Sequence, residues 1–124
     1  MGKIVALALG SLAGGFARYF LGGFVYRVTG TTFPYGTLAV NLIGCFLIGF
    51  FSSLSEEKLL LGPNARILLM VGFCGAFTTF STFMLETANL MKGGEFFHAF
   101  LNVVVSIILG FLMFRFGMLL AELI

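Results

Sequence analysis

Inside one long apolar run, between Val71 and Met84, the chain reads GFCGAFTTFSTF, a mixture of glycine, hydroxyl and phenylalanine side chains that a lipid-facing helix does not need. Hydrocarbon satisfies no free backbone N–H or C=O, so irregular backbone at membrane depth is tolerated only against other protein or along a polar cavity. The segment therefore marks a buried site or an ion path. Phe80 and Phe83 are three residues apart and share a helical face, which Thr79, Phe83 and Glu86 continue. Such a pair ordinarily packs in a core, but the hydroxyls of Thr78, Thr79, Ser81 and Thr82 argue against a wholly apolar surrounding. The edge of an aromatic ring carries partial positive charge. Ring edges can thus face a dehydrated anion without holding it tightly, and weak coordination at several points is what conduction requires. Gly72, Gly75 and the TTFST run can also loosen the helix, and carbonyls freed in this way are cation ligands.

A charge at a helix centre costs roughly 2.5 to 3.5 kcal/mol, so each polar group inside an apolar run needs a reason. Asn41 has Thr37 one turn before it and Gly44 and Cys45 one turn after, which makes a small polar face. Asn102, Ser106 and Gly110 repeat the arrangement at steps of four. Both sets fit either hydrogen bonding between helices or a pore lining. Arg18 can anchor at the membrane edge, or it can raise the anion concentration in a vestibule. Cys45 and Cys74 lack metal-like spacing and read as small buried apolar residues. His98 lies near a helix end, where interface anchoring is the default.

The elements that must position these groups are plain. With 60% hydrophobic and only 10% charged residues and a mean hydropathy of +1.11, the chain lies outside the range of soluble domains and is an integral membrane protein. Four stretches are long enough to cross a bilayer: Ile4 to Tyr26, Tyr35 to Leu54, Ile67 to Met91, and Phe96 to Ala121. The first continues past the length of a signal peptide, and three more follow it. Turn-rich loops separate them at Arg27 to Pro34, Ser55 to Arg66, and Lys92 to Gly94. A single four-helix transmembrane domain over residues 1–124 is expected, all-α, with a break in the third helix. Four helices are too few to wall a pore alone, so self-association is expected. Gly10 and Gly14 form a GxxxG pair that suits either packing within the chain or a dimer seam. Basic residues are scattered, which gives no reason to propose nucleic acid, and no nucleophile with a base, metal cluster or phosphate loop suggests an enzyme.

Three segments together, GGFARY (Gly14 to Tyr19), PYGTLAVNLIGCFLIG (Pro34 to Gly49) and GFCGAFTTFSTFMLE (ending at Glu86), closely resemble the Fluc/CrcB family of fluoride channels. The resemblance covers all four helices. It implies an antiparallel, dual-topology homodimer in the cell (inner) membrane, with two fluoride pores per dimer that passively export cytoplasmic fluoride and relieve its toxicity. It implies that Phe80 and Phe83 are the paired pore phenylalanines and that Asn41 reaches the fluoride path. Thr79, Ser81 and Thr82 correspond to the hydroxyl-rich turn, Arg18 to the vestibule arginine and Glu86 to a glutamate near the pore. Ser106 lies on the family's variable polar track with Asn102. The backbone carbonyls of Gly75 and Thr78 match positions that hold a structural sodium ion, one pair from each subunit.

The alternative is a proton-coupled small multidrug or ion exporter, also a four-helix protein. Such an exporter needs a carboxylate in the first helix and often a tryptophan, and this chain has neither. Glu86 is the one group that could carry protons in its place. The positive-inside rule gives an argument independent of family. Lys3, Lys58 and Arg66, with Arg115, fall on one side; Arg27 and Lys92, with Arg18, fall on the other. The near tie predicts insertion in both orientations.

Overall fold

The computed structural model describes all 124 residues as helices joined by short loops. Four spans run Gly2–Thr29 (α1), Tyr35–Glu56 (α2), Pro63–Lys92 and Phe96–Glu122, of 28, 22, 30 and 27 residues. Each exceeds the roughly 20 residues that a bilayer requires. The third span is composite: α3 (Pro63–Arg66) leads into a π-helical segment (Ile67–Cys74) and α4 (Gly75–Phe77), and α5 (Phe80–Lys92) follows after a break. The last span is α6. Pro63 sits in the first turn of α3, where its missing N–H costs nothing. At the end of α1, Gly30 takes φ 83° and donates its N–H to Tyr26 O at 2.8 Å, closing the helix at a position that favours glycine.

Glycines set which helices meet. A Cβ on Gly10 would fall 2.1 Å from Leu68 O, and one on Gly14 would fall 2.2 Å from Phe73 O. The GxxxG pair of α1 therefore seats the π-helical segment of the same chain, which settles its role in favour of packing within the chain. α2 and α6 cross in the same way: a Cβ on Gly49 would lie 2.2 Å from Phe114 O, and one on Gly117 2.1 Å from Phe46 O. Backbone-to-backbone approach of this kind replaces the hydrophobic driving force that lipid removes.

The break lies at Thr78 and Thr79, both extended, with ψ 160° and 117°. Each half of the span is capped by a hydroxyl. Thr78 Oγ1 donates to Cys74 O at 2.8 Å, and Thr79 Oγ1 accepts from Thr82 N at 3.2 Å. The interruption expected from the glycine and hydroxyl run is present, carried by the two threonines. Gly72 does other work, since a Cβ there would meet Leu7 O and Ser11 N at 3.0 Å.

Only 22 of the 124 residues are buried, and phenylalanines such as Phe16, Phe20, Phe97 and Phe111 stand well exposed. These faces belong against lipid or another protein.

Candidate functional site

The break opens a groove of about 410 Å³ between the two halves of the third span, α2 and α6. Asn41, Thr79, Phe80, Phe83 and Ser106 line it, with Gly75 and Thr78 at the break. Five of the seven residues proposed for a pore are thus brought to one place. The two rings lie 5.8 Å apart between centroids and are inclined by 52°. Their settings differ: Phe83 is 7% exposed and packed within the chain, whereas Phe80 is 73% exposed and stands out from it.

Asn41 holds the break itself. Its Nδ2 donates to Thr79 O at 3.1 Å, and its Oδ1 accepts from Thr79 N at 2.8 Å. The side-chain amide thereby completes both hydrogen bonds of an extended residue that no helix can serve. One Nδ2–H is left over, on a residue that lines the groove. Asn41 joins backbone support to a spare donor on the groove.

Asn102 and Ser106, one turn apart on α6, divide in role. Asn102 is 2% exposed and donates to Thr87 Oγ1 at 2.9 Å, which in turn donates to Phe83 O. That is hydrogen bonding between helices, and it fixes α5 on α6 beneath the Phe83 ring. Ser106 Oγ is buried and has no partner within the chain, yet the residue lines the groove. An unpartnered buried hydroxyl costs about 1 to 3 kcal/mol unless something in the groove completes it.

The two break-site carbonyls are similarly free. In a continuous helix, Gly75 O would accept from Thr79 N and Thr78 O from Thr82 N. Thr79 N goes instead to Asn41 and Thr82 N to Thr79 Oγ1. Around Gly75 the space is open, with nothing within 4 Å of where a Cβ would stand.

A second groove, of about 430 Å³, lies between α1, α2 and the start of α5 and carries Arg18, Tyr26, Thr37, Thr79 and Thr82. Thr79 borders both grooves. Thr82 belongs with Arg18, and Ser81 is exposed and lines neither groove. Glu86 is bound by two hydroxyls, Tyr26 Oη donating to its Oε2 and Thr37 Oγ1 to its Oε1. Nothing in the sequence pattern pointed to Tyr26 in this role. Cys45 and Cys74 are free thiols, and both border the first groove. His98 is surface-exposed and pairs with Glu95 at 2.8 Å.

The sequence pattern described as CrcB-like protein, Camphor Resistance (CrcB), matches residues 5–118. A protein named fluoride-specific ion channel FluC from Chlorobium phaeobacteroides is 49% identical over 120 residues, covering 97% of this chain and 93% of the relative. Proteins of the same name from Maridesulfovibrio salexigens and Dehalococcoides mccartyi are 44% and 40% identical over 124 residues, covering all of this chain and 98% and 95% of theirs.

Proposed function

The chain belongs to the CrcB family of fluoride-specific ion channels, and on that premise we propose how it works as a multi-pass membrane protein. Fluoride passes through the groove at the break of the third span. The path is passive: fluoride enters an acidified cell as the neutral weak acid, ionises inside and accumulates, and an anion path lets it leave down its gradient. The observation that carries this reading is the unpartnered hydroxyl of Ser106, set in the same groove as the spare Asn41 N–H and the Phe80–Phe83 pair. Donors and aromatic rings line the groove together, and no carboxylate is among its lining residues. Such a lining compensates a small anion for lost water at several weak points. Arg18, in the neighbouring groove, draws anions toward the break.

The working unit is a homodimer of antiparallel subunits. Support comes from Phe80, which lacks an enclosing wall in one chain, and from the open space around Gly75. The Gly75 and Thr78 carbonyls, deprived of their helical donors, fit a hard monovalent cation, for which oxygen-only ligands are suited. Two carbonyls are too few, and a second copy doubles them. Sodium, when bound there, would offset the desolvation of carbonyls that no helix bond completes.

Proteoliposomes loaded with fluoride, an external fluoride electrode and a potassium ionophore test the mechanism. Efflux should be the same with and without a pH gradient. Strict coupling to protons would replace the channel with an exporter, for which Glu86, already bound by two hydroxyls, is poorly placed.

A further inference from the structure

We propose that the groove at the break is also a site for a soft monovalent cation such as copper(I) or silver(I), held by the sulfurs of Cys45, Met70 and Cys74, and that the bound metal closes the groove to fluoride. The first claim stands on the sulfurs alone; the second rests on fluoride using that groove. All three residues line it. No spacing in the chain joins them, because Cys45 is on α2 while Met70 and Cys74 are in the π-helical segment. Met70 and Cys74 are four residues apart, about one turn, so the groove receives both from one side.

Packing brings the third sulfur to the other two. A Cβ on Gly44 would fall 2.0 Å from Thr78 Cγ2, and Thr78 Oγ1 donates to Cys74 O at 2.8 Å. The Gly44–Cys45 stretch of α2 and the turn that ends at Cys74 thus meet through one threonine. Cys45 Sγ reaches toward α6, 3.5 Å from where a Cβ of Gly110 would stand, and Ser106, with its unpartnered buried hydroxyl, lies one turn before Gly110. Both thiols are free, and Cys74 is buried. Thiolate and thioether sulfur select soft cations, whereas the Gly75 and Thr78 carbonyls suit a hard one, so the two kinds of ion do not compete for donors. As the metal bonds to sulfur, one thiol gives its proton to water: Cys–SH and M⁺ become Cys–S–M and H⁺. The complex is neutral, which avoids the cost of a net charge at membrane depth. The second thiol and the Met70 thioether add as neutral donors. The metal then fills space beside Phe83 and Ser106, and fluoride, a hard anion, is a poor ligand that does not displace it.

The probe is silver nitrate, with chloride left out so that silver stays in solution. The purified protein in detergent should bind one silver ion per chain, followed by calorimetry and by the ultraviolet absorbance of silver–thiolate bonds. Cys45→Ala, Cys74→Ala and Met70→Leu should each weaken binding by at least about tenfold, since even the loss of a ligand's supporting partner costs that much. Capping the thiols of the wild-type protein with a small methylthiolating reagent should do the same, which keeps the test open if a variant folds poorly. In fluoride-loaded liposomes, saturating silver should reduce wild-type efflux to the leak of protein-free vesicles, and excess glutathione should restore it. The double cysteine variant should keep its own silver-free rate at the same dose. Silver binding that is absent, or equally tight in all the variants and the capped protein, would overturn the site. Binding at the sulfurs with full efflux would overturn the closure. Absence of fluoride efflux from silver-free wild-type liposomes would instead overturn the fluoride reading of the groove, and the absorbance titration would still decide the site.

Discussion

Replacing Asn41 by alanine removes two hydrogen bonds at once, those of 3.1 and 2.8 Å that complete the carbonyl and N–H of Thr79. Thr79 is extended and its backbone groups cannot return to the helical ladder without closing the break. Thr79 is half-buried, and an unsatisfied group costs about 1 to 3 kcal/mol when fully buried, so losing both bonds should cost about 2 kcal/mol in total, a sizeable part of the margin of a small protein. Asn41→Asp should behave differently. One carboxylate oxygen still accepts from Thr79 N, but the other replaces a donor and faces Thr79 O across 3.1 Å. About half of the stability loss should remain, while conduction should disappear, because the variant also adds a negative charge to the proposed anion path. Denaturant titration of the purified protein in detergent would give the stability loss, and fluoride efflux from liposomes the conduction. Wild-type stability in Asn41→Ala would show that Thr79 is served from elsewhere, and the account of the break would fail.

Ser106→Ala should leave stability unchanged or raise it by up to about 1 kcal/mol, because the hydroxyl is buried without a partner. The same change should lower fluoride flux, and a loss of stability with full flux would contradict its role in the groove. Phe80→Ile should reduce flux with little change in the stability of the fold, since the ring is 73% exposed, whereas Phe83→Ile, replacing a ring only 7% exposed, should lower both. Gly14→Ala should destabilise by about 1 to 3 kcal/mol, because the new methyl meets Phe73 O at 2.2 Å and a backbone carbonyl cannot turn away. Gly15→Ala, with nothing within 4 Å, is the matched control for the fold of a single chain.

Much of this arrangement was legible in the sequence because membrane physics restricts the choices. Apolar length fixed the four spans to within a few residues at most ends, although the third begins at Pro63 and the first extends to Thr29. The hydroxyl run located the break, since extended backbone at depth needs polar side chains near it. What was not legible depends on contacts between distant residues. The π-helical turn over Ile67–Cys74 is set where Leu68 and Phe73 meet Gly10 and Gly14, which local periodicity does not encode. The partner of Asn41 is a backbone 38 residues away, and that of Glu86 is a tyrosine hydroxyl 60 residues away. Spacing on α6 put Asn102 and Ser106 on one face, but only the position of Thr87 separates a satisfied amide from an unpartnered hydroxyl.

The most direct test of fluoride-selective conduction compares two anions in one preparation. Liposomes containing the wild-type protein, loaded with equal fluoride and chloride, would be followed with both ion electrodes after addition of a potassium ionophore. Fluoride should leave rapidly while chloride stays at the leak of protein-free vesicles, because a larger anion loses its water without matching compensation from the ring edges, Asn41 and Ser106. Equal efflux of the two anions would contradict the assignment of this groove as a fluoride path.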